Sequence, residues 1–453
     1  MASASKDLTQ GRPAKLLLTF ALPMMVGSAF QQMYTMVDAA IIGRFMGVQA
    51  LAAVGAGDWF QWLVLSLMIG CAQGFAIIPS QRFGARDREG LRKSAATAIV
   101  MTVVLAVLLT GMILPAVRPV LRLMDTDTAI FEQSAAYVSV LFCGIVIVAS
   151  YNMLASLLRA IGNSRDPLIA MVIGACVNIG LDLLFVPVLH WGVAGAAAAT
   201  VLGQGCACLY TLLRVLREPV LKFTAGDWKP DRNLIGQNFR LGVPMALQNA
   251  VIGVGGMAVQ QVVNGFGYVF VAGFTAANKL WGLMELAAIN YGYAISSYTG
   301  QNLGAGRFDR IRSGVRTGAV LGLITGAAVG GVMILTGRFL VGLFLASEDP
   351  AVVQSAVNVA YEYLVVMCAP LIVLYLLYVY RSALQGSGDT AAPFLSALLE
   401  LIVRITVVHT LPAVLGQMGI FLAEPLAWLS ADVILVPAYF LRMRHLRKQK
   451  RLA

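Results

Sequence analysis

The sequence predicts an all-α membrane protein with twelve transmembrane helices arranged as two six-helix repeats. Hydrophobic residues make up 59% of the 453 residues and charged residues only 12%, against about 25% charged residues in an ordinary soluble domain. The mean hydropathy is +0.79. Apolar stretches of about 20 residues, long enough to cross the hydrocarbon layer as helices, recur along the whole chain. They lack the polar-apolar alternation that a membrane β-barrel requires, so helices are favoured.

Six apolar stretches fall in each half of the chain. Their predicted bounds are 16–42, 55–79, 95–117, 133–158, 167–189, 194–213, 241–263, 273–299, 315–336, 354–380, 393–412 and 421–441. The stretches predict four segments, namely an N-terminal lobe over 1–214 with helices 1–6, a cytoplasmic linker over 215–240, a C-terminal lobe over 241–441 with helices 7–12, and a basic cytoplasmic tail over 442–453. Because residues 13–20 lead straight into the first stretch without a small-residue cleavage site, we expect helix 1 to be retained.

The two halves are copies of one another. Three short motifs of the first half return in the second with offsets of 221, 220 and 226 residues: 21–25 as 242–246, 81–85 as 301–305, and 162–167 as 388–393. Duplicated halves in an apolar chain are typical of transporters that move one repeat against the other around a central site.

The net charge of +11 reflects topology. Of the 33 Lys and Arg residues, 27 fall before helix 1, in alternate loops, in the linker or in the tail, including Arg381 between helices 10 and 11. The opposite loops hold Arg44, Arg118, Arg122 and Arg338. Basic residues gather on the cytoplasmic side, so both termini are predicted there, and we expect no nucleic-acid partner. Only Lys279 and Arg404 are placed inside spans.

Residues for enzyme or metal chemistry are scarce. The six cysteines all lie in apolar spans, where they are interpreted as packing residues, and the three histidines are scattered. The sequence carries no nucleophile motif, phosphate loop or dinucleotide fingerprint. We therefore predict a protein that is not an enzyme, without a metal site and without a cofactor other than a coupling ion.

Polar groups at membrane depth are costly and are therefore functional candidates. In helix 1, Gln31, Thr35 and Asp38 share one helical face, with Tyr34 beside them. In helix 5, Asn178 and Asp182 lie one turn apart, and Thr200 in helix 6 adds a hydroxyl group. All three helices belong to the first half, which allows these groups to converge.

Three interpretations of Asp38 and Asp182 remain open. Structural salt bridges could hold them. Alternatively, two neighbouring carboxylates raise one another's proton affinity and could bind a proton, or they could share a small cation with Asn and Thr oxygens. In the second half, Glu400 and Arg404 are predicted to form a structural pair one turn apart, and Glu285 and Asp432 have no assigned role.

Four segments, 37–44, 178–185, 192–200 and 300–305, resemble the MATE family of multidrug and toxic compound extrusion transporters, here a prokaryotic member. The resemblance implies two six-helix lobes around a central cavity and an antiporter that exports amphipathic, often cationic compounds in exchange for H⁺ or Na⁺. It places one group of residues at the coupling-cation site of the first lobe, with Tyr137 and Asn152 as neighbours: Asp38, Asn178, Asp182 and Thr200. It places a second group at the drug cavity, Gln31 and Met171, to which we add Tyr34.

The chain also departs from the family. Some branches carry acids in helices 7 and 10, but 241–263 and 363–380 contain none. Coupling is therefore predicted in the first lobe alone, with Pro23 as a hinge that lets helix 1 bend. We expect a monomer in the bacterial inner membrane whose partners are the bilayer, the coupling cation and drug-like small molecules. A lipid-linked saccharide flippase of the same superfamily is the alternative, and it would require a basic cavity for the pyrophosphate.

Overall fold

The computed structural model of this protein describes residues 5–124, 126–343 and 350–452. Within these ranges the regular structure is helical, with 3-10 turns at Pro219–Leu221 and Ala225–Trp228. The α-helices are α1 (Pro13–Met46), α2 (Val48–Ala56), α3 (Asp58–Phe75), α4 (Ile77–Gly84), α5 (Arg88–Leu123), α6 (Phe131–Cys143), α7 (Ile145–Ala160), α8 (Arg165–Phe185), α9 (Gly192–Arg217), α10 (Arg232–Asn264), α11 (Tyr268–Gly304), α12 (Phe308–Gly342), α13 (Pro350–Cys368), α14 (Leu371–Gly386), α15 (Ala391–Thr410), α16 (Pro412–Leu415), α17 (Gln417–Phe421) and α18 (Ala423–Leu452). Of the predicted basic tail, residue 453 lies outside the described residues, and the helix is described over 449–452 without its side chains, which include those of Lys450 and Arg451.

Each of the twelve predicted spans falls on one of these helices or on consecutive helices, so the all-α membrane fold is confirmed. The second span is made of α2, α3 and α4, the fourth of α6 and α7, and the tenth of α13 and α14. In the described part of the chain, ten helices are long and apolar enough to cross a membrane, or eleven if the bent pair α6 and α7 counts as one span. The protein is therefore a multi-pass membrane protein.

The fourth span is bent at a glycine that lies close to another helix. α6 and α7 meet at an angle of 45° on either side of Gly144. A Cβ atom at Gly144 would lie 2.5 Å from a methyl carbon of Val201 in α9, so only glycine allows this approach. The tenth span, its counterpart in the second repeat, breaks before Pro370, which begins the next helix without an amide hydrogen to donate.

The chain divides into two compact units. One contains residues 1–8 and 22–249, and the other contains 9–21 and 250–453. The divisions lie inside α1 and α10, the first helix of each repeat, close to Pro23 and Pro244. The predicted lobe boundaries at 214 and 241 stay a prediction.

Within the first unit, small residues bring α8 and α9 together. A Cβ atom at Gly203 would lie 2.7 Å from the carbonyl oxygen of Gly174 and 3.0 Å from Cβ of Asn178. Such close backbone approach is the common way for membrane helices to pack, because lipid provides no hydrophobic drive between them. The contact also brings Asn178 opposite Thr200 on the neighbouring helix.

The connection between the repeats is anchored to α5. Asp227 is buried and accepts hydrogen bonds from the amide and hydroxyl of Thr224 and from Arg92 at 3.0 Å. Burial works to raise the pKa of Asp227, but these hydrogen bonds and the Arg92 charge outweigh burial, and the pKa lies below its ordinary value. A lowered folded-state pKa means that this carboxylate stabilises the anchored linker above its unfolded pKa, and that the contribution is lost as the pH falls through the folded value.

Candidate functional site

A cavity in the first unit gathers polar side chains from four helices. Its empty volume is about 330 Å³, including the part open to solvent. The four helices are α1, α7, α8 and α9. The lining residues are Gln31, Tyr34, Tyr151, Met171, Gly174, Ala175, Asn178, Thr200, Gln204 and Ala207.

Two carboxylates adjoin this group without a basic partner. Asp182 in α8 is fully buried, and neither of its carboxylate oxygens has a hydrogen-bond donor among the described residues. Asp38 in α1 is partly buried, and its buried Oδ1 also has none. The two carboxyl groups are close enough to share a hydrogen bond when one of them carries a proton. Two ionised carboxylates at membrane depth without a counter-charge are unfavourable, so this pair is suited to bind a proton or a cation.

Neutral oxygen atoms complete the site. Asn178 donates from Nδ2 to Oγ1 of Thr200 at 3.3 Å, and Thr200 donates to the carbonyl of Ala196 at 3.2 Å. This arrangement leaves Oδ1 of Asn178 buried without a donor, like the carboxylate oxygens of Asp182. Oxygen atoms that lack donors fit a proton or a hard cation such as Na⁺. In the described chain no three His, Cys, Asp or Glu side chains are grouped as a metal site.

The structure brings together most of the predicted site residues. Gln31, Tyr34 and Met171 line the same cavity as Asn178 and Thr200. Tyr137 in α6 is buried.

Tyr137 lies within electrostatic range of Asp38 and Asp182. Asn152 is different, because its Nδ2 donates to the carbonyl of Val148 in its own helix at 2.8 Å and it is not among the lining residues. Pro23 lies inside α1, which continues as one helix on both sides of it.

Three residues of the site were missed by sequence reasoning. Tyr151 and Gln204 line the cavity, and Asp58, exposed at the first turn of α3, is an electrostatic neighbour of Asp38. Gln204 lies one turn after Thr200, so the helical period carried a signal for it. Asp58 lies close to the start of a predicted span, where an acidic residue is solvated, so its charge does not indicate a functional site.

The second unit contains a buried ion-pair network. Arg404 in α15 contacts Glu400 and Glu424, each at 2.8 Å, and Arg381 contacts Glu400 at 2.8 Å. The predicted pairing of Glu400 with Arg404 is present. The placement of Arg381 in a loop was wrong, because this residue lies in α14 and is only 4% exposed. Its charge is tolerated there because Glu400, 19 residues later, compensates it across helices.

The comparisons with known proteins agree with this architecture. A sequence model of the MatE family matches residues 23–184 and 244–410, one match in each repeat. The chain belongs to the MATE family. Members of this family are transporters, so the protein is not an enzyme, as predicted. The probable multidrug resistance protein YpnP of Bacillus subtilis (strain 168) is 30% identical over 346 residues, covering 76% of this chain and 77% of that protein.

More distant relatives cover nearly the whole chain. The multidrug export protein MepA of Staphylococcus aureus (strain NCTC 8325 / PS 47) is 23% identical over 446 residues, which are 95% of this chain and 94% of that protein. A crystal structure of MATE in complex with MaL6 superposes with a TM-score of 0.91 at 24% identity, covering 99% of this chain and 100% of that one. An outward-facing multidrug resistance MATE family transporter of the MOP superfamily superposes with a TM-score of 0.89 at 24% identity, covering 97% and 98%. These similarities show that MATE transporters and this chain have the same fold.

Proposed function

We propose that this MATE protein is a secondary active efflux antiporter that exports amphipathic, often cationic compounds in exchange for H⁺ or Na⁺ by alternating access. The observation that carries the proposal is the Asp38 and Asp182 pair, with carboxylate oxygens that have no donor, adjoining a cavity of the first unit. Relatives at 30% and 23% identity bear the names of multidrug resistance and export proteins. The proposed partners are drug-like small molecules, the coupling cation and the bilayer; the protein needs no other cofactor and functions as a monomer.

Ion binding and drug export are coupled through α1, because this helix contributes residues to both sites. The same helix carries the cavity residues Gln31 and Tyr34 and the ion-site residue Asp38. In the outward-open state, binding of a proton or Na⁺ removes one negative charge from the carboxylate pair and changes the electrostatic force on α1. Pro23 has no amide hydrogen for the carbonyl one turn earlier, which makes a bend at this point less costly. A movement of α1 at Pro23 reshapes the cavity and releases the compound outside.

The flippase alternative is less well supported. A lipid-linked pyrophosphate requires cationic side chains that are free to bind it. Arg404 and Arg381 are both engaged in buried ion pairs with Glu400. The charges of Arg404 and Arg381 are therefore already neutralised within the protein, and the first-unit cavity is lined without Arg or Lys. Lys279, the other base predicted inside a span, is an exposed residue of α11 and does not line that cavity.

The proposed ion exchange can be tested in proteoliposomes that contain the purified protein. Ethidium uptake into these vesicles is measured under three conditions. H⁺ alone is more concentrated inside, Na⁺ alone is more concentrated inside, or neither ion has a gradient. We expect one gradient to drive ethidium accumulation above its equilibrium level. Equal ethidium distribution under all three conditions would contradict antiport, and vesicles with Asp182→Asn protein control for leakage of the membrane.

The proposed membrane orientation places both termini in the cytoplasm of a bacterial cell, with the protein in the inner membrane. Single cysteines at positions now occupied by Arg88, Lys229 and Arg447, introduced into a variant without the six native cysteines, should react with a membrane-impermeant maleimide only in inverted vesicles. The physical reason is the gathering of 26 of the 33 basic residues on one side, Arg381 being left out because it is buried in α14. Labelling of any of the three in intact spheroplasts would disprove the orientation.

A further inference from the structure

The helix of the twelfth span continues beyond the predicted end of that span. The apolar stretch ends at 441, whereas α18 runs without a break to Leu452. Met443 and Leu446 in this continuation are buried. We call residues 442–452 the α18 extension.

Two basic side chains fix the α18 extension to the second unit. Arg442 donates from its guanidinium group to the carbonyl oxygen of Ser387, in the turn before α15, at 2.9 Å. Arg447 forms an ion pair with Asp309 in the first turn of α12. The extension is therefore held beside α12, and its remaining bases are not needed for that contact.

Both α12 and α18 carry a series of exposed side chains at one-turn intervals. Each series has two bases and one apolar residue, which are Arg312, Arg316 and Val320 in α12, and Lys448, Arg444 and Phe440 in α18. Residues four apart lie on one face of a helix. In both helices the apolar residue lies on the membrane side of the two bases, because α12 begins and α18 ends at the same proposed cytoplasmic side.

The four bases of the two series have no acidic partner. Among the described residues no carboxylate lies within 4 Å of the basic patch, our name for Arg312, Arg316, Arg444 and Lys448. Asp309 is engaged by Arg447. Asp389, in the turn before α15, accepts a hydrogen bond from the amide of Ala392 at 3.2 Å. The basic patch therefore carries positive charges that no described side chain neutralises.

The ion pair between α12 and α18 brings the two series together. Asp309 precedes Arg312 by three residues, and Arg447 follows Arg444 by three, so each partner of the ion pair lies close to the face of its own series. Tyr439 in α18 is within electrostatic range of both Arg312 and Arg447. The bases of the two helices therefore belong to one surface of the second unit.

The exposed apolar residues place this surface at the edge of the bilayer. Val320 and Phe440 lie inside predicted spans, where an exposed apolar side chain faces lipid. One helical turn advances about 5.4 Å, so bases one and two turns further on reach the level of the lipid phosphates. Long basic side chains at this depth extend their charged groups toward the headgroups.

We propose that the basic patch, with Val320 and Phe440, is a binding site for an anionic phospholipid of the cytoplasmic leaflet. The acyl chains pack on the two apolar side chains, and the headgroup phosphate lies among the four bases. An anionic headgroup is preferred because the patch has no negative charge to meet the ammonium group of a zwitterionic lipid. The choice of leaflet rests on the proposed orientation, whereas the lipid class follows from the side chains alone.

The bound lipid should also stabilise the protein. It contacts α12 and α18 together, and these contacts exist only in the folded protein. A ligand that binds the folded state alone raises the melting temperature. An anionic lipid should therefore raise the melting temperature of the native protein more than a zwitterionic lipid of the same chain length.

The test is equilibrium binding of dioctanoyl phosphatidylglycerol to the full-length protein in detergent micelles, with dioctanoyl phosphatidylcholine for comparison. The native protein should bind phosphatidylglycerol about tenfold more tightly. Each base at an anionic lipid surface contributes about fivefold in affinity. Two double variants, Arg312→Gln with Arg316→Gln and Arg444→Gln with Lys448→Gln, should therefore each weaken phosphatidylglycerol binding about 25-fold and leave phosphatidylcholine binding within about twofold.

The matched control is Arg82→Gln combined with Lys93→Gln. This variant lowers the net charge by the same amount, but Arg82 is paired with Asp87 at 2.9 Å and Lys93 with Glu89 at 2.6 Å. Its phosphatidylglycerol affinity should stay within about twofold of the native value. An equal loss in this control and in the patch variants would show attraction by net charge alone and would overturn the site, as would equal native affinities for the two lipids.

A charge-retaining variant separates lipid recognition from an effect on folding. Arg312→Lys with Arg316→Lys keeps both charges and should keep most of the phosphatidylglycerol affinity that the glutamine variant loses. Without lipid, all patch variants should melt at the native temperature, because the four side chains are exposed and unpaired. A loss of binding by the lysine variant as large as that of the glutamine variant would contradict recognition by charge.

Glycerol phosphate distinguishes a lipid site from a site for soluble anions. It carries a phosphate group but no acyl chains, so it should not displace phosphatidylglycerol at equal concentration. Displacement would overturn the assignment to a lipid. No ion gradient is present in these measurements, so failure of lipid binding would leave the proposed antiport intact, and failure of antiport would leave the lipid site intact.

Discussion

Asp38→Asn should give a folded protein that binds drug but does not export it against a gradient. The substitution keeps the size of the side chain and removes the charge that the coupling ion neutralises. Without that charge, ion binding no longer distinguishes the conformations of α1, and the coupling between the two ligands is lost. Because coupling between sites is typically worth about 5- to 150-fold in affinity, gradient-driven accumulation should fall by a factor in this range. Asp182→Asn should have the same effect.

The stability of these variants separates a switch from a structural pair. Neither oxygen of Asp182 has a donor, and Asp38 has no basic partner within 4 Å among the described residues. Removing one carboxylate therefore leaves no opposite charge stranded, and it relieves the repulsion between the two. We expect both asparagine variants to unfold at the temperature of the native protein or above it. A structural salt bridge would predict a loss of about 3–5 kcal/mol instead.

Three measurements on the same preparations distinguish an ion switch from a structural pair. They are the melting temperature, the affinity for ethidium, and ethidium efflux under an imposed ion gradient. Asp127→Asn is a suitable control, because Asp127 is an exposed acid whose side chain accepts a hydrogen bond from the amide of Ala129 in its own loop. Full gradient-driven efflux by Asp38→Asn would refute the ion switch.

Most of the fold could be predicted from the sequence because the bilayer imposes one strong constraint. Each membrane crossing needs a long apolar helix, so all twelve apolar stretches corresponded to helices. The breaks could not be predicted, since Gly144 is one glycine among 45 and its role depends on Val201 in another helix. Helix ends were also missed. α10 begins at Arg232, nine residues before the predicted span, because a helix can continue beyond the apolar region into water.

The site was predictable where it contains charge. Asp38 and Asp182 were identifiable because a carboxylate at membrane depth is costly, and the helical period connected Asn178 with Asp182. Tyr151 is neutral and has no predicted site residue one turn away in its helix, so only the structure places it at the cavity, whereas Gln204 could have been found from its spacing to Thr200. Arg381 was assigned to a loop because its partner Glu400 lies on another helix, a relation that no local pattern records.

Arg404→Met should be the most destabilising of the substitutions considered for the second unit. Arg404 is 3% exposed, contacts Glu400 and Glu424 at 2.8 Å each, and donates to the carbonyl of Ile252 at 3.2 Å. Methionine fills much of the volume but provides no charge and no donor. Glu400 keeps Arg381 as a basic partner, whereas Glu424 loses its ion pair and keeps a hydrogen bond with Trp428. Breaking a buried ion pair from one side costs about 3–5 kcal/mol of the free energy of unfolding.

A double variant tests whether the stranded carboxylate causes that loss. Arg404→Met combined with Glu424→Gln removes the uncompensated charge, so it should recover a measurable part of the stability lost in Arg404→Met alone. Unfolding in mixed detergent micelles measures both, with Arg118→Gln as the control. Arg118 pairs with Glu132, but both side chains are more than half exposed, and water can solvate the carboxylate left behind. If Arg404→Met is as stable as Arg118→Gln, the buried ion-pair network does not hold α15 and α18 together. If the double variant is less stable than Arg404→Met, Glu424 stabilises the fold through contacts other than its ion pair.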